Sequence, residues 1–176
     1  MLETLISSKT RVKLLLKFFL NSKTTSYLRG LESEFGDSSN AIRLELNRFE
    51  KAGMLISFAK GNKKLFKANT SHPLFEEVNK ILLKNIGFDT IIENVISSLG
   101  DVSEVYVVGD FAKGINSQVI DLVFFGHVDI EYLIKLISKT ENLINRKIRY
   151  ITYKKSEKAN WININQDALL LWQKVN

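Results

Sequence analysis

The chain has 176 residues, 45% hydrophobic and 25% charged, an ordinary globular composition with room for one medium domain or two small ones. It has no cysteine, which excludes disulfides, thiolate metal sites and cysteine nucleophiles, and its two histidines, His72 and His127, cannot build a histidine-rich metal site. The net charge of +6 is uneven: residues 1–72 carry 13 Lys and Arg against 6 Asp and Glu, a net of +7, whereas residues 73–176 carry 12 against 13.

That split is read most simply as a polyanion-binding module joined to a near-neutral one, and on charge alone a solvated lysine-rich surface explains it equally well. Met1 to Leu5 lacks the basic-then-apolar pattern of a secretion signal, and the apolar run Leu14–Leu16 is flanked by Lys13 and Lys17. A soluble cytoplasmic protein with no membrane partner is expected.

Ser7-Ser8 suits the cap of a first helix, whose apolar positions Val12, Leu15, Leu16, Phe19 and Leu20 recur at three- and four-residue spacing until Asn21-Ser22-Lys23 stops it. A short second helix is predicted from about Ser26 to Phe35, with Leu28, Leu31 and Phe35 on one face. Gly36-Asp37-Ser38-Ser39 reads as a tight turn with hydroxyl caps, Gly36 supplying a positive φ. A third helix follows from about Asn40 to Lys51, burying Ile42, Leu46 and Phe49 and ending at Ala52-Gly53.

Two helices joined by a short glycine-containing turn make the helix-turn-helix pattern. Met54 to Lys60 and Lys63 to Ala68 then read as two strands around a Gly61-Asn62 turn, a hairpin with Lys60, Lys63 and Lys64 near its tip. In such a winged geometry the third helix enters the major groove of double-stranded DNA. Its outward positions are Ser39, Asn40, Arg43, Leu44 and Asn47. Arg43 suits a bidentate contact to guanine, Asn40 or Asn47 one to adenine. Ser38 and Ser39 lie where hydroxyls and a helix N-terminus hold a phosphate, and Lys60, Asn62, Lys63 and Lys64 would follow the backbone.

The run Asp37 to Leu55, above all Glu50-Lys51-Ala52-Gly53-Met54-Leu55, resembles the recognition helix and following strand of ArsR-like winged-helix repressors. The resemblance covers most of residues 8–70 and implies a homodimer. The cysteine ligands of the metal-sensing members are absent.

His72-Pro73 marks a boundary. Connecting helices are predicted from Leu74 to Ile86, with Glu76-Glu77 early and Lys84 late as the helix dipole favours, and from Asp89 to Leu99. A strand, Val102 to Val108, runs into Gly109-Asp110-Phe111-Ala112-Lys113-Gly114, and a second strand follows from Val119 to Phe125. A helix from Asp129 to about Asn145, a strand from Ile148 to Tyr153, a basic stretch from Lys154 to Lys158 and an apolar segment from Ala168 to Trp172 complete an α/β second domain.

The strand, glycine turn and second strand resemble the core of the minimal nucleotidyltransferase fold. The family's pattern has Gly-Ser, then aromatic-Ala-x-Gly, then a strand bearing Asp-x-Asp; Gly109, Phe111, Ala112 and Gly114 match it. Asp110 stands in place of the serine, Val119 in place of the first metal aspartate, and only Asp121 remains of the pair. Lys113 is a candidate anion contact, although an exposed helix lysine explains it as well. Asp129 and Glu131, the only nearby carboxylates able to complete a metal site, more readily cap the next helix. No metal site and no cofactor are expected, and the degenerate nucleotide site is reduced to Gly109, Asp110, Lys113 and Asp121.

The sequence thus predicts an α+β chain: a winged helix-turn-helix over 1–70, connecting helices over 71–100 and a nucleotidyltransferase-like domain over 101–176. The function expected is a DNA-binding regulator, a repressor, whose second domain is catalytically inactive and serves dimerisation, ligand sensing or partner contact. The alternatives are an active nucleotidyltransferase and an antitoxin-like interaction protein.

Overall fold

The computed structural model describes residues 2–174 and divides the chain into two compact units, 1–85 and 86–176. The division falls inside the segment 71–100, so its first helix folds with the first unit and its second with the other.

The first unit contains α1 (Leu2–Leu5), α2 (Lys9–Leu15), α3 (Leu28–Phe35), α4 (Ser39–Lys51), the strands β1 (Leu55–Lys60) and β2 (Lys63–Ala68), and α5 (Phe75–Ile86). α2 starts as the sequence predicts, with Ser8 Oγ accepting from the Arg11 amide at 3.2 Å. It does not stay α-helical: Leu16–Leu20 form a π-helical turn in which all five residues are buried. Leu14 and Phe18 are as deeply buried as the predicted stripe. The widened turn brings Lys17 inside too, where it donates to both oxygens of Glu34 at 2.9 and 2.7 Å. α1 was not signalled by any periodicity.

The second predicted helix starts later than its sequence suggests. Ser26 exchanges both backbone hydrogen bonds with Phe66, at 3.1 and 2.8 Å, and is held as an extended bridge against β2. A residue tied into a ladder cannot also take helical dihedrals, so α3 opens at Leu28. Gly36 ends it at φ +67°, its amide returning to Glu32 O. β1 and β2 pair antiparallel from Leu55↔Ala68 to Lys60↔Lys63, leaving the two-residue Gly61-Asn62 turn with Gly61 at φ +60°. α5 is secured to the unit by Asn79, whose amide donates to Phe19 O at 2.6 Å, and by the Phe19–Phe75 ring contact at 5.6 Å.

The second unit is a four-stranded sheet with helices, in the strand order β5-β4-β3-β6. β3 (Val102–Val108) pairs antiparallel with β4 (Val119–Gly126) and with β6 (Leu169–Gln173), and β4 pairs parallel with β5 (Lys147–Tyr153). The parallel pair requires a crossover, supplied by α8 (Ile130–Ile144), whose N-cap is Asp129 accepting from the Tyr132 amide. Two shorter helices, α6 (Phe88–Asn94) and α7 (Gly109–Ala112), precede β3 and follow it. The predicted Asp89–Leu99 helix is split: it breaks at Val95 and continues as a 3-10 turn over Ile96–Ser98, with Ser97 Oγ donating to Ile92 O.

β6 is the apolar segment left unassigned in the sequence, and α9 (Lys158–Ile164) arises within and beyond the basic stretch. One sheet face carries the buried Val105, Val107, Ile120, Leu122 and Phe124. On the other, Tyr106 and Phe125 pack edge-on at 5.8 Å, and Trp161 of α9 closes over both at 5.4 and 5.3 Å. Glu104 lies buried beside them, accepting from Tyr106 Oη at 2.6 Å and from Lys158 Nζ. Burial, reinforced by the hydrogen bond and charge of Glu104, pushes the Tyr106 phenol well above its ordinary range.

Glu45, on the inner face of α4, accepts Arg11 Nε at 2.8 Å and Nη2 at 3.2 Å, and Arg48 Nη1 at 2.9 Å. Burial alone would raise its carboxyl, but hydrogen bonds and charge from Arg11, with Arg48, outweigh that and hold it below the usual range. A depressed folded-state carboxyl stabilises the fold above the unfolded value of about 4.3 and ceases to do so as pH falls through the folded value. Glu45→Gln is therefore expected to cost about 2 kcal/mol at neutral pH and to weaken the acid-side slope of stability. Asp37 and Glu50, held low by their own partners, leave a residual slope. Far-UV circular dichroism melts between pH 3 and 7 measure this. Trp161 and Trp172, both in the second unit, serve as the unaffected control.

Candidate nucleic-acid interface

α4 is amphipathic, with Ile42, Leu46, Phe49 and Glu45 buried and Asn40, Arg43, Leu44 and Asn47 exposed on the outer side. Ser39 is half-buried in its first turn. Ser38 is the N-cap, its Oγ accepting from the Ala41 amide at 3.3 Å, a bond that does not use its O–H donor. Arg48, two turns further on, is drawn back along the helix to Glu45.

The wing tip exposes Lys60, Gly61, Asn62, Lys63 and Lys64. Two of its lysines are held in place. Lys63 Nζ lies 4.3 Å from the centroid of the Tyr27 ring, and Lys64 Nζ lies 2.8 Å from Glu50 Oε2. Glu50 also accepts from Ser57 Oγ. The Lys64 hydrogen bond, with that of Ser57, holds the Glu50 carboxyl below its usual range. Half-exposed pairs of this kind add little stability but fix where a long side chain points.

Between α4, the wing and the start of α3 lies a cleft of about 540 Å³, lined by Arg43 and Asn47 from α4, Asn62, Lys63 and Lys64 from the wing, Tyr27 just before α3 and Arg29 in its first turn, over a floor of Leu28, Leu46 and Phe66. Five of the sequence-predicted residues thus share one basic concavity, while Ser38, Ser39, Asn40 and Lys60 lie outside its lining. Tyr27 and Arg29 were missed. Their only sequence signal is a basic residue interleaved with an aromatic, and what places them is the Ser26–Phe66 bridge, a long-range pairing.

In the second unit, Gly109 stands at φ +68° at the end of β3, where an added Cβ would lie 2.6 Å from Asp121 Oδ2. Asp110 and Lys113 are exposed on and just after α7. Asp121 pairs in register with Arg149 on β5, and the guanidinium grips both carboxylate oxygens, Nε to Oδ1 at 2.6 Å and Nη2 to Oδ2 at 2.9 Å. The hydrogen bond and charge of Asp121 raise the Arg149 guanidinium further, with Asp110 adding to it.

These residues do not fit the divalent cation that the nucleotidyltransferase pattern would place there. Val119 offers no ligand atom, and both oxygens of Asp121 face a cation of the protein itself. Among the described residues no group of three His, Cys, Asp or Glu comes together to hold a metal. Two positions along the same sheet face, Tyr106 and Val123 are already in the core that Trp161 covers.

No family model matches the chain, and no curated protein matches it. Among solved structures it is similar to a protein named as a nucleotidyltransferase from Sulfolobus solfataricus, with 22% identity, 54% of this chain and 86% of that one covered, and a TM-score of 0.37. It is also similar to the transcriptional regulator BldR from Sulfolobus solfataricus, with 14% identity, 55% and 70% covered, and a TM-score of 0.37. A third is reduced HlyU from Vibrio cholerae, with 13% identity, 52% and 82% covered, and a TM-score of 0.35. Each is a partial likeness at low identity.

The Gly109–Asp121 approach gives a double-mutant test. Gly109→Ala is expected to destabilise the second unit by about 1–3 kcal/mol through its positive φ and the carboxylate clash. In an Asp121→Ala background the same change should cost at least about 0.5 kcal/mol less. Urea unfolding followed by tryptophan fluorescence reads this unit alone, since both tryptophans lie in it.

Proposed function

We propose that the chain is a DNA-binding transcriptional regulator, a repressor of the ArsR-like kind acting as a homodimer in the cytoplasm. α4 reads the major groove with Asn40, Arg43 and Asn47. The wing, with Lys60, Asn62, Lys63 and Lys64, follows the phosphate backbone, joined by Ser38 and Ser39 at the helix start. The observation that carries the reading is the convergence of Arg43 and Asn47 with Asn62, Lys63 and Arg29 around one basic cleft. The charge asymmetry supports it, since the first 72 residues hold a net of +7 and the rest −1.

The second unit, in this reading, is a catalytically inactive relative of the nucleotidyltransferases used for dimerisation, ligand sensing or protein contact. The Asp121–Arg149 pair and Val119 argue against metal-assisted phosphoryl transfer at this site. They leave an accessory role.

Fluorescence anisotropy of labelled duplexes from the region upstream of its own coding sequence tests the proposal. Binding is expected to weaken steeply from 50 to 200 mM salt. Arg43→Ala should relax sequence preference at a cost of about 1–3 kcal/mol, whereas Lys63→Ala should weaken all sequences alike and lower the salt slope by about one. Salt-insensitive binding, or a double variant that binds like wild type, would contradict the reading.

A further inference from the structure

Leu44 is out of character with its surroundings. It sits in the middle of the outer face of α4, 52% exposed. Its exposed helical neighbours on that face are Asn40 one turn before it and Asn47 and Arg48 three and four residues after. The buried side of α4 is already complete with Ile42, Leu46 and Phe49. Leu44 is not among the residues that line the cleft toward the wing either.

A leucine ringed by hydrogen-bonding side chains on a basic face suits a surface that is itself polar and anionic but carries isolated apolar groups. The major groove of DNA is such a surface, because each thymine presents a C5-methyl there between hydrogen-bonding base edges. The two asparagines add to the case, since asparagine reads adenine through N6 and N7. At about 1.5 Å per residue, Leu44 lies about 6 Å along the helix axis from Asn40 and about 4.5 Å from Asn47. Those spacings are within one or two base-pair steps of about 3.4 Å. An apolar contact flanked by two adenine readers describes A·T pairs.

Resting on the DNA-binding reading, we infer that Leu44 is a specificity-determining residue that packs on a thymine C5-methyl, so that the half-site has A·T pairs under the middle of α4. Arg43, turned toward the wing, would read the neighbouring position.

Uracil in place of thymine removes the methyl and leaves every hydrogen-bonding group unchanged, so it isolates this contact. The full chain would first select duplexes from a library with a random 20-base-pair core, and the consensus would then be synthesised with thymine or with deoxyuridine at each T in turn. Wild type is expected to bind about fourfold more weakly when the contacted methyl is removed, the effect of leaving one methyl-sized group unburied. At that one position Leu44→Ala should bind thymine and uracil duplexes equally, and Leu44→Met should restore part of the difference. Unchanged far-UV circular dichroism for both variants shows that the fold is intact.

Equal binding of thymine and uracil duplexes by wild type at every position overturns the inference while leaving DNA binding in place. So does a uracil penalty that Leu44→Ala does not reduce. A chain that enriches no duplex at all overturns the DNA reading itself, and the inference with it.

Discussion

The buried carboxylate of Glu45 fixes the rotation of α4, and which side chains the first unit exposes on that helix depends on that rotation. Arg11 from α2 takes both of its oxygens and Arg48 adds a third hydrogen bond, so the carboxylate enters the interior fully partnered. An unpartnered carboxylate there would cost several kcal/mol, which penalises any other rotation of the helix. With Glu45 inward beside Ile42, Leu46 and Phe49, the positions that face outward are necessarily Asn40, Arg43, Leu44 and Asn47. One ion-pair network therefore does both jobs: it closes the core and presents the polar face.

The wing is positioned through the same logic of partnered groups. Ser26 adds a short bridge to β2, which sets the start of α3 against the hairpin and brings Tyr27 under the Lys63 ammonium. Glu50, near the end of α4, reaches Ser57 and Lys64 and ties the hairpin to the helix. A basic hairpin free in solvent would spread its lysines over many orientations. Here two of them are held, Lys63 over Tyr27 and Lys64 against Glu50, which in the proposed reading would lower the ordering cost of binding.

In the second unit the turn after β3 packs tightly against a carboxylate that the protein itself neutralises. Gly109 makes room for the Asp121 carboxylate, and a side chain there would be strained both by φ +68° and by that neighbour. The carboxylate itself faces Arg149 across the parallel β4–β5 pair. The opposite end of the same sheet face is filled by Tyr106, Phe125, Tyr153 and Trp161. A close backbone approach and an ion pair between neighbouring strands thus share one carboxylate.

Local sequence determined the pieces whose causes are local. Helical periodicity gave α4 and its buried face, Gly36 and Ser38 gave the turn between α3 and α4, and Gly61-Asn62 gave the hairpin, because capping and turn chemistry act within a few residues. That position 119 has no side-chain oxygen was legible for the same reason, since a valine offers none whatever surrounds it. Only tertiary structure decided what depends on residues far apart in the chain. The π turn at Leu16–Leu20, which buries Lys17 against Glu34, the Ser26 bridge that shortens α3, and β6 pairing with a strand some 65 positions earlier could not be read locally. The same holds for the charges. Counting gave the first 72 residues their basic excess, but which lysines and arginines are engaged and which remain free was set by the long-range partners Glu45, Glu50, Tyr27 and Asp121.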